Sequence, residues 1–233
     1  MKWNQVVVNT DDETDTLIVC AESELDPTTY IHPAKKVRVK VDHLAHTFAV
    51  LVGKPLPPTA FAADLEGKRK ALQTALAEYV ARFNSPSAAT SSAGVYSSPD
   101  GKITAVLSGQ RLNLSNCWSG AWDSKWVVTS SAVEKGDIRA RAHYFEEGNM
   151  QLNTNKAVKD VAVAGADDTA WAASVVKQIQ GAEDETHKAL EGMYLSMGEG
   201  MLKGMRRVMP VTRSKMEWNL GSIGVVKGLA TKK

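Results

Sequence analysis

Five cations fall within thirteen residues near the C-terminus: Lys203, Arg206, Arg207, Arg213 and Lys215. They sit among Met, Leu and Val, with Pro210 between them and Glu217-Trp218 just beyond. Positive charge at this density is suited to electrostatic docking on an acidic partner. From residue 201 onward, eight cations stand against Glu217 alone, a net +7; the whole chain carries only +2, which leaves −5 for the first 200 residues. The chain is thus nearly neutral but strongly polarised. Charge that merely completes a helix would account for Lys203, Arg206 and Arg207, because cations in a last turn complement the helix dipole. It does not account for Arg213 and Lys215, which follow the proline that must end the helix.

The other candidates are weaker. Asp42, His43 and His46 offer metal-ligating atoms, but their spacing lacks the distant second pair of a zinc site. Asp11-Asp-Glu-Thr-Asp15 has neither the glycine nor the terminal glutamate of a calcium loop and reads as a solvated turn. Gly198, Gly200 and Gly204 around Lys203 do not make a phosphate loop, which needs Gly-Lys-Ser/Thr between a strand and a helix. No nucleophile elbow or Cys/His arrangement occurs. The chain is expected not to be an enzyme, and no cofactor or metal is expected. Trp118, Trp122 and Trp126 recur every fourth residue, so on a strand the three indoles share one face. That face could be a ligand platform; burial under a helix is the favoured reading.

The elements that must hold these residues read as α+β. Leu17–Cys20 is a short apolar strand. Lys36–Val41 alternates strictly, with valines on one face and Lys36, Arg38 and Lys40 on the solvated other. A helix is predicted over residues 61–83, with Leu65, Leu72, Leu76, Tyr79, Val80 and Phe83 on one stripe. Residues 84–93 form a polar loop running into a strand. Pro99-Asp100-Gly101 sets a hairpin turn before the alternating Ile103, Ala105 and Leu107. Strands are predicted over 122–129, 138–145 and 150–153, with Gly148-Asn149 as the tight turn of the last hairpin. The expected sheet is an antiparallel meander covered by a long C-terminal helix, residues 167–207. That helix carries a stripe from Trp171 through Val175, Ile179, Ala182, Thr186, Leu190 and Met193 to Met205, read as buried core. Its glycines make it depend on packing, not on propensity. The segment past Trp218 holds three glycines and is expected to be a mobile, basic tail.

Bulk properties fit one or two globular domains: 233 residues, 43% hydrophobic and 23% charged. No run approaches the length of a membrane span. Cys20 and Cys117 build no disulfide framework, which suits a reducing compartment.

Three blocks in register resemble the F-actin capping protein alpha subunit family. They are Asn116-Cys-Trp118-Ser-Gly120-Ala-Trp122-Asp-Ser124-Lys-Trp126, His143-Tyr-Phe-Glu146-Glu-Gly148-Asn149-Met-Gln151-Leu152, and Lys203-x-x-Arg206-Arg207-x-x-Pro210-Val-Thr-Arg213-x-Lys215-x-x-Trp218. Asp42-His43-Leu44 is a shorter echo. The resemblance covers roughly residues 15 to 220. It implies a heterodimer with a beta subunit that caps the barbed end of actin filaments, in the cytoplasm and at the cytoskeleton. On that footing Lys203, Arg206, Arg207, Arg213, Lys215 and Trp218 are the expected actin-binding residues. Residues 1–207 are expected to form one α+β domain, and 208–233 the basic actin-binding tail. Phosphoinositide headgroups could meet the same cations; no nucleic acid is expected. The family has an N-terminal helical stalk before its first matching strand. This chain starts almost at that strand, so the stalk is expected to be absent or cut from the sequence. The rival readings are a module for anionic lipid or nucleic acid, and a cap for filaments of an actin-related protein.

Overall fold

The short apolar run Leu17–Cys20 is buried on both of its faces. The computed structural model describes residues 4–197, apart from 11–12, 46, 52–55, 57–61, 84–88, 99, 114–116 and 145–149. β1 (Asn4–Thr10) and β2 (Glu13–Val19) form an antiparallel hairpin. Four short strands follow as an antiparallel sheet in chain order: β3 (Glu24–Asp26), β4 (Thr29–His32), β5 (Val37–Asp42) and β6 (Thr47–Val50). Side chains alternate across a strand, so β2 serves two cores at once. Leu17 and Val19 pack with Tyr30, Val39 and Val41. Ile18 and Cys20, one residue out of step, pack with Tyr96 and Val106. The alternation read in Lys36–Val41 holds, with Val39 and Val41 buried and Lys40 exposed.

A 3-10 turn (Ala63–Leu65) leads into α1 (Glu66–Phe83), whose Leu72, Leu76 and Tyr79 are buried on one stripe. Five strands then form the main sheet: β7 (Ala89–Ser97), β8 (Ile103–Asn113), β9 (Trp118–Val128), β10 (Ala132–Tyr144) and β11 (Met150–Ala162). Their spatial order is β11-β10-β9-β8-β7, antiparallel throughout, which is the expected meander. In the β7–β8 turn, Gly101 takes φ 75°, where a side chain would be strained, and Ser98 N–H donates to the Lys102 carbonyl at 2.8 Å. α2 (Asp168–Met197) begins where the Asp167 carboxylate accepts from Ala170 N–H at 2.6 Å, an N-cap. The chain divides into two compact units, Met1–Gln180 and Gly181–Lys233.

The strands run longer than local pattern suggests. Ser91 and Ser92, expected in a loop, pair with Gly109 and Ser108. Ala132–Asp137 and Thr154–Ala162 lack alternation yet pair along their length. Glu13–Asp15, read as part of an acidic turn, pair with Thr10, Asn9 and Val8. Long neighbouring strands offer backbone partners whatever the side chains, and this overrides weak local preference. The Gly148-Asn149 turn lies outside the described residues, as do the ten positions after Met197 in the expected helix and the expected boundary at 207/208.

Along α2, Trp171, Ala172, Val175 and Ile179 are buried, as the stripe requires. Met193 departs from the expected buried core: it is 41% exposed. Met201 and Met205 lie outside the described residues. Trp171 donates its indole N–H to the Ser130 carbonyl at 3.1 Å, in the turn between β9 and β10. The Lys68 ammonium stands 5.5 Å from the centre of the same indole, within cation–π range.

Candidate functional site: sheet edges and the basic segment

The tryptophan row shows how the sheet is built. Trp126 stands directly between Ala105 of β8 and Gly136 of β10, and Trp122 between Gly109 and Ala140. Small residues on both sides leave room for an indole to lie flat. A Cβ at Gly136 would clash with the Trp126 ring. Trp126 is 1% exposed, and its N–H donates to Ser124 Oγ at 3.0 Å. Trp122 is only half-buried, and of Trp118 only the backbone is described. The indole at the heart of the sheet is thus core, as favoured from the sequence, for Trp126 alone among the three.

The opposite face of β8 to β10 is polar beyond the part shared with β2. Ser108 donates to Asp123 Oδ1 at 2.7 Å, and Arg141 donates to Asp123 Oδ2 at 2.7 Å. Lys125 pairs with Glu22. Burial pushes the Cys20 thiol up, and pushes the Tyr96 phenol well above its ordinary range. Both groups are therefore inert fillers of the seam between β2 and the sheet. At the far end of this sheet a shallow cavity of about 420 Å³ mixes polar and apolar lining, with Gln110, Leu112, Ala121, Arg141, His143 and Asn153 among its residues.

The two edges of the sheet differ. Along β7, the Gln73 side chain of α1 donates to the Ala93 carbonyl at 2.9 Å and accepts from Val95 N–H at 2.9 Å. One carboxamide thus acts as an extra strand residue. Arg69, 2% exposed, adds a bond to the Val95 carbonyl at 3.2 Å and another to the Pro33 carbonyl at 3.3 Å. Glu66 holds that guanidinium with both oxygens, at 2.8 and 2.9 Å, and also pairs with Lys36. Arg69 first, then Lys36, holds the Glu66 carboxyl down to about 2, against desolvation that works the other way. At the other end, β11 is the last strand, and Gln151, Asn153, Asn155, Ala157 and Lys159 are all exposed along one face. Thirteen residues of terminal strand are a ready template for pairing with another chain.

Of the expected site residues, Lys203, Arg206, Arg207, Arg213, Lys215 and Trp218 all lie outside the described residues. Of the other metal-ligand candidates, Asp42 and His43 enter local hydrogen bonds, and His46 lies outside the described residues. Asp42 Oδ1 accepts from Leu44 and Ala45 N–H at 2.9 and 3.0 Å, which builds a turn. His43 Nε2 lies 3.1 Å from the Pro27 carbonyl and 3.3 Å from the Tyr30 hydroxyl. Among the described residues there is no metal-holding cluster, and no helix is long and apolar enough to cross a membrane. Sequence reading missed the β11 edge, because its residues carry no alternation and its role follows from strand order alone.

The family model of the F-actin capping protein alpha subunit matches residues 1–227. The F-actin-capping protein subunit alpha of Gibberella zeae is 32% identical over 157 residues, which are 66% of this chain and 56% of that protein. The chain thus spans little more than half of that relative's length. The subunit alpha of Dictyostelium discoideum is 28% identical over 206 residues, 86% of this chain and 72% of that protein. The solved homodimeric actin capping protein alpha subunit of Plasmodium berghei shares the fold, with a TM-score of 0.68 at 23% identity, over 90% of this chain and 79% of that one. These matches lend no support to a lipid- or nucleic-acid-binding module.

Proposed function

From the premise that this chain belongs to the F-actin capping protein alpha subunit family, we propose that it is one half of a two-subunit cap on the barbed end of actin filaments. The observation that carries this is the family match through residue 227, because it takes in the whole basic segment from Lys203 to Trp218. Among the described residues β11 pairs only with β10, which supports the need for a second subunit that adds its own strand there. The mechanism is binding without covalent chemistry, at the cytoskeleton. Lys203, Arg206, Arg207, Arg213 and Lys215 steer the complex to the acidic filament end and speed association. Trp218 and the apolar residues beyond it add short-range contact and slow dissociation.

Seeded actin elongation with the chain co-expressed with a candidate beta subunit tests the reading. The complex should stop growth at seeded barbed ends. Lys203→Ala, Arg207→Ala and Arg213→Ala together should slow capping by about tenfold or more at low salt, as loss of electrostatic steering predicts. Thermal melting and subunit association should stay unchanged. Raising salt should slow the wild type toward the variant. An unchanged capping rate in the triple variant would remove these cations from the mechanism.

A further inference from the structure

On the polar face of the main sheet, the start of β9 has small side chains between long ones. Ser119, Gly120 and Ala121 follow one another there. Strand register sets Ala121 between Gln110 of β8 and Arg141 of β10, and Ser119 between Leu112 and His143. Residues two apart on a strand share a face, so these two rows line one surface. The result is a trough along β9, two strand spacings wide, or roughly 10 Å. Its volume of about 420 Å³ falls within the roughly 300–1,000 Å³ of ligand-binding clefts.

The charge of the trough is one-sided. Its described lining holds Arg111 and Arg141 and no carboxylate. Arg141 is held in place from inside the sheet. Ser108 donates to Asp123 Oδ1 and Arg141 to Asp123 Oδ2, both at 2.7 Å, and Ser108 and Asp123 are buried. A buried carboxylate fixed by a hydroxyl thus orients one edge of the guanidinium fork. The Arg141 side chain is itself half-exposed, which leaves its other N–H donors for a ligand. On the opposite wall Leu112, 52% exposed, offers an apolar surface. The lining carboxamides of Gln110, Gln151 and Asn153 can each donate and accept, as a peptide backbone requires.

We propose that this trough binds an acidic linear segment of another protein, which presents a carboxylate to Arg141 and an apolar side chain to Leu112. Alternate side chains of an extended peptide point to opposite sides, and so to the two walls. A simple anion would use Arg141 and leave Leu112 and the carboxamides unmatched. A basic segment would meet two arginines. The trough lies along β9, two strands in from β11, so its occupation does not depend on what pairs with that edge.

Fluorescence anisotropy with the full chain and a labelled, end-capped peptide of alternating glutamate and leucine tests this. Binding should saturate at low salt and weaken as salt rises. Glutamine for glutamate in the peptide, or Arg141→Gln in the protein, should raise Kd about tenfold or more, the worth of one charge-assisted hydrogen bond. Arg141→Lys keeps the charge but not the fork and should fall between. Ala121→Leu fills the floor and leaves Ser108, Asp123 and Arg141 in place. It should weaken binding as much while melting no lower than wild type, and it keeps the test decisive should Arg141→Gln, which strips Asp123 of its cation, fail to fold. Millimolar succinate or inorganic phosphate should displace little of the peptide. Full displacement by either ion would mean a simple anion site and overturn the proposal. Equal binding of a lysine–leucine peptide, an unchanged Kd in Ala121→Leu, or no saturable binding by wild type would overturn it as well.

Discussion

At one edge of the main sheet a helix supplies the missing strand; at the other edge nothing in the meander does. Gln73 and Arg69 reach from α1 to the outer side of β7, where the Ala93 carbonyl and the Val95 N–H and carbonyl find their partners within the chain. β11 is longer, at 13 residues against 9, yet it ends the sheet with exposed Asn, Ala and Lys side chains. The difference teaches that edge strands have two safe endings. One is closure by side chains, which is permanent. The other is a charged row that resists indiscriminate pairing while leaving the backbone available to a matched strand. A sheet with one ending of each kind can grow in one direction only.

Three perturbations test the closed edge. The largest effect belongs to Arg69→Ala. It strips the β7 closure of its buried cation, takes that donor from the Pro33 and Val95 carbonyls and leaves Glu66 with Lys36 alone, so unfolding free energy should fall by about 2–4 kcal/mol in urea titration. Arg69→Met, which keeps the apolar stem, should lose less. If the alanine variant unfolds like wild type, the buried ion pair does not secure the edge.

Gln73→Leu comes next. It leaves the Val95 N–H and Ala93 carbonyl unsatisfied, which should cost about 1–3 kcal/mol. It should also turn β7 into a second open edge. Sedimentation of the variant in complex with its partner should then show concentration-dependent association that wild type lacks. Absence of both effects would mean that α1 merely rests on β7.

The smallest is a pH effect at the closed edge. The Glu66 carboxyl sits at about 2 in the folded chain against an ordinary 4.5. A lowered folded value means that the stabilisation is complete above pH 4.5 and is lost as pH falls toward 2. Partial exposure of Glu66 screens it, so the loss should be on the order of 1–2 kcal/mol. Melting curves of wild type and Glu66→Gln should converge across that window. Parallel curves would assign the acid sensitivity to other groups.

Much of the fold was legible locally. The valines of β5, the α1 stripe, the turn at Gly101 and the first turns of α2 all declare themselves by period or by turn chemistry. The tryptophan row announced a shared face but not its fate, because Trp126 is buried by the glycine and alanine that register places beside it. Nothing in the spacing of Trp126, Ala105 and Gly136 along the chain links the three. The β2 strand shows the same limit: Leu17–Cys20 reads as apolar, yet only its place between two cores explains why both of its faces are buried.

By itself the sequence determined the polarity of the chain, the cationic run from Lys203 to Lys215, and the family blocks. These are properties of residue type and spacing, which folding does not alter. Only the tertiary structure decided which edge of the sheet is closed and which is open. Closure depends on Gln73 meeting Ala93 and Val95 from 20 and 22 positions away, and openness on β11 being last in spatial order. Lys135 and Lys159 become neighbours for the same reason: strand register brings together residues 24 positions apart, and a backbone hydrogen-bond ladder fixes that register without leaving a trace in local sequence.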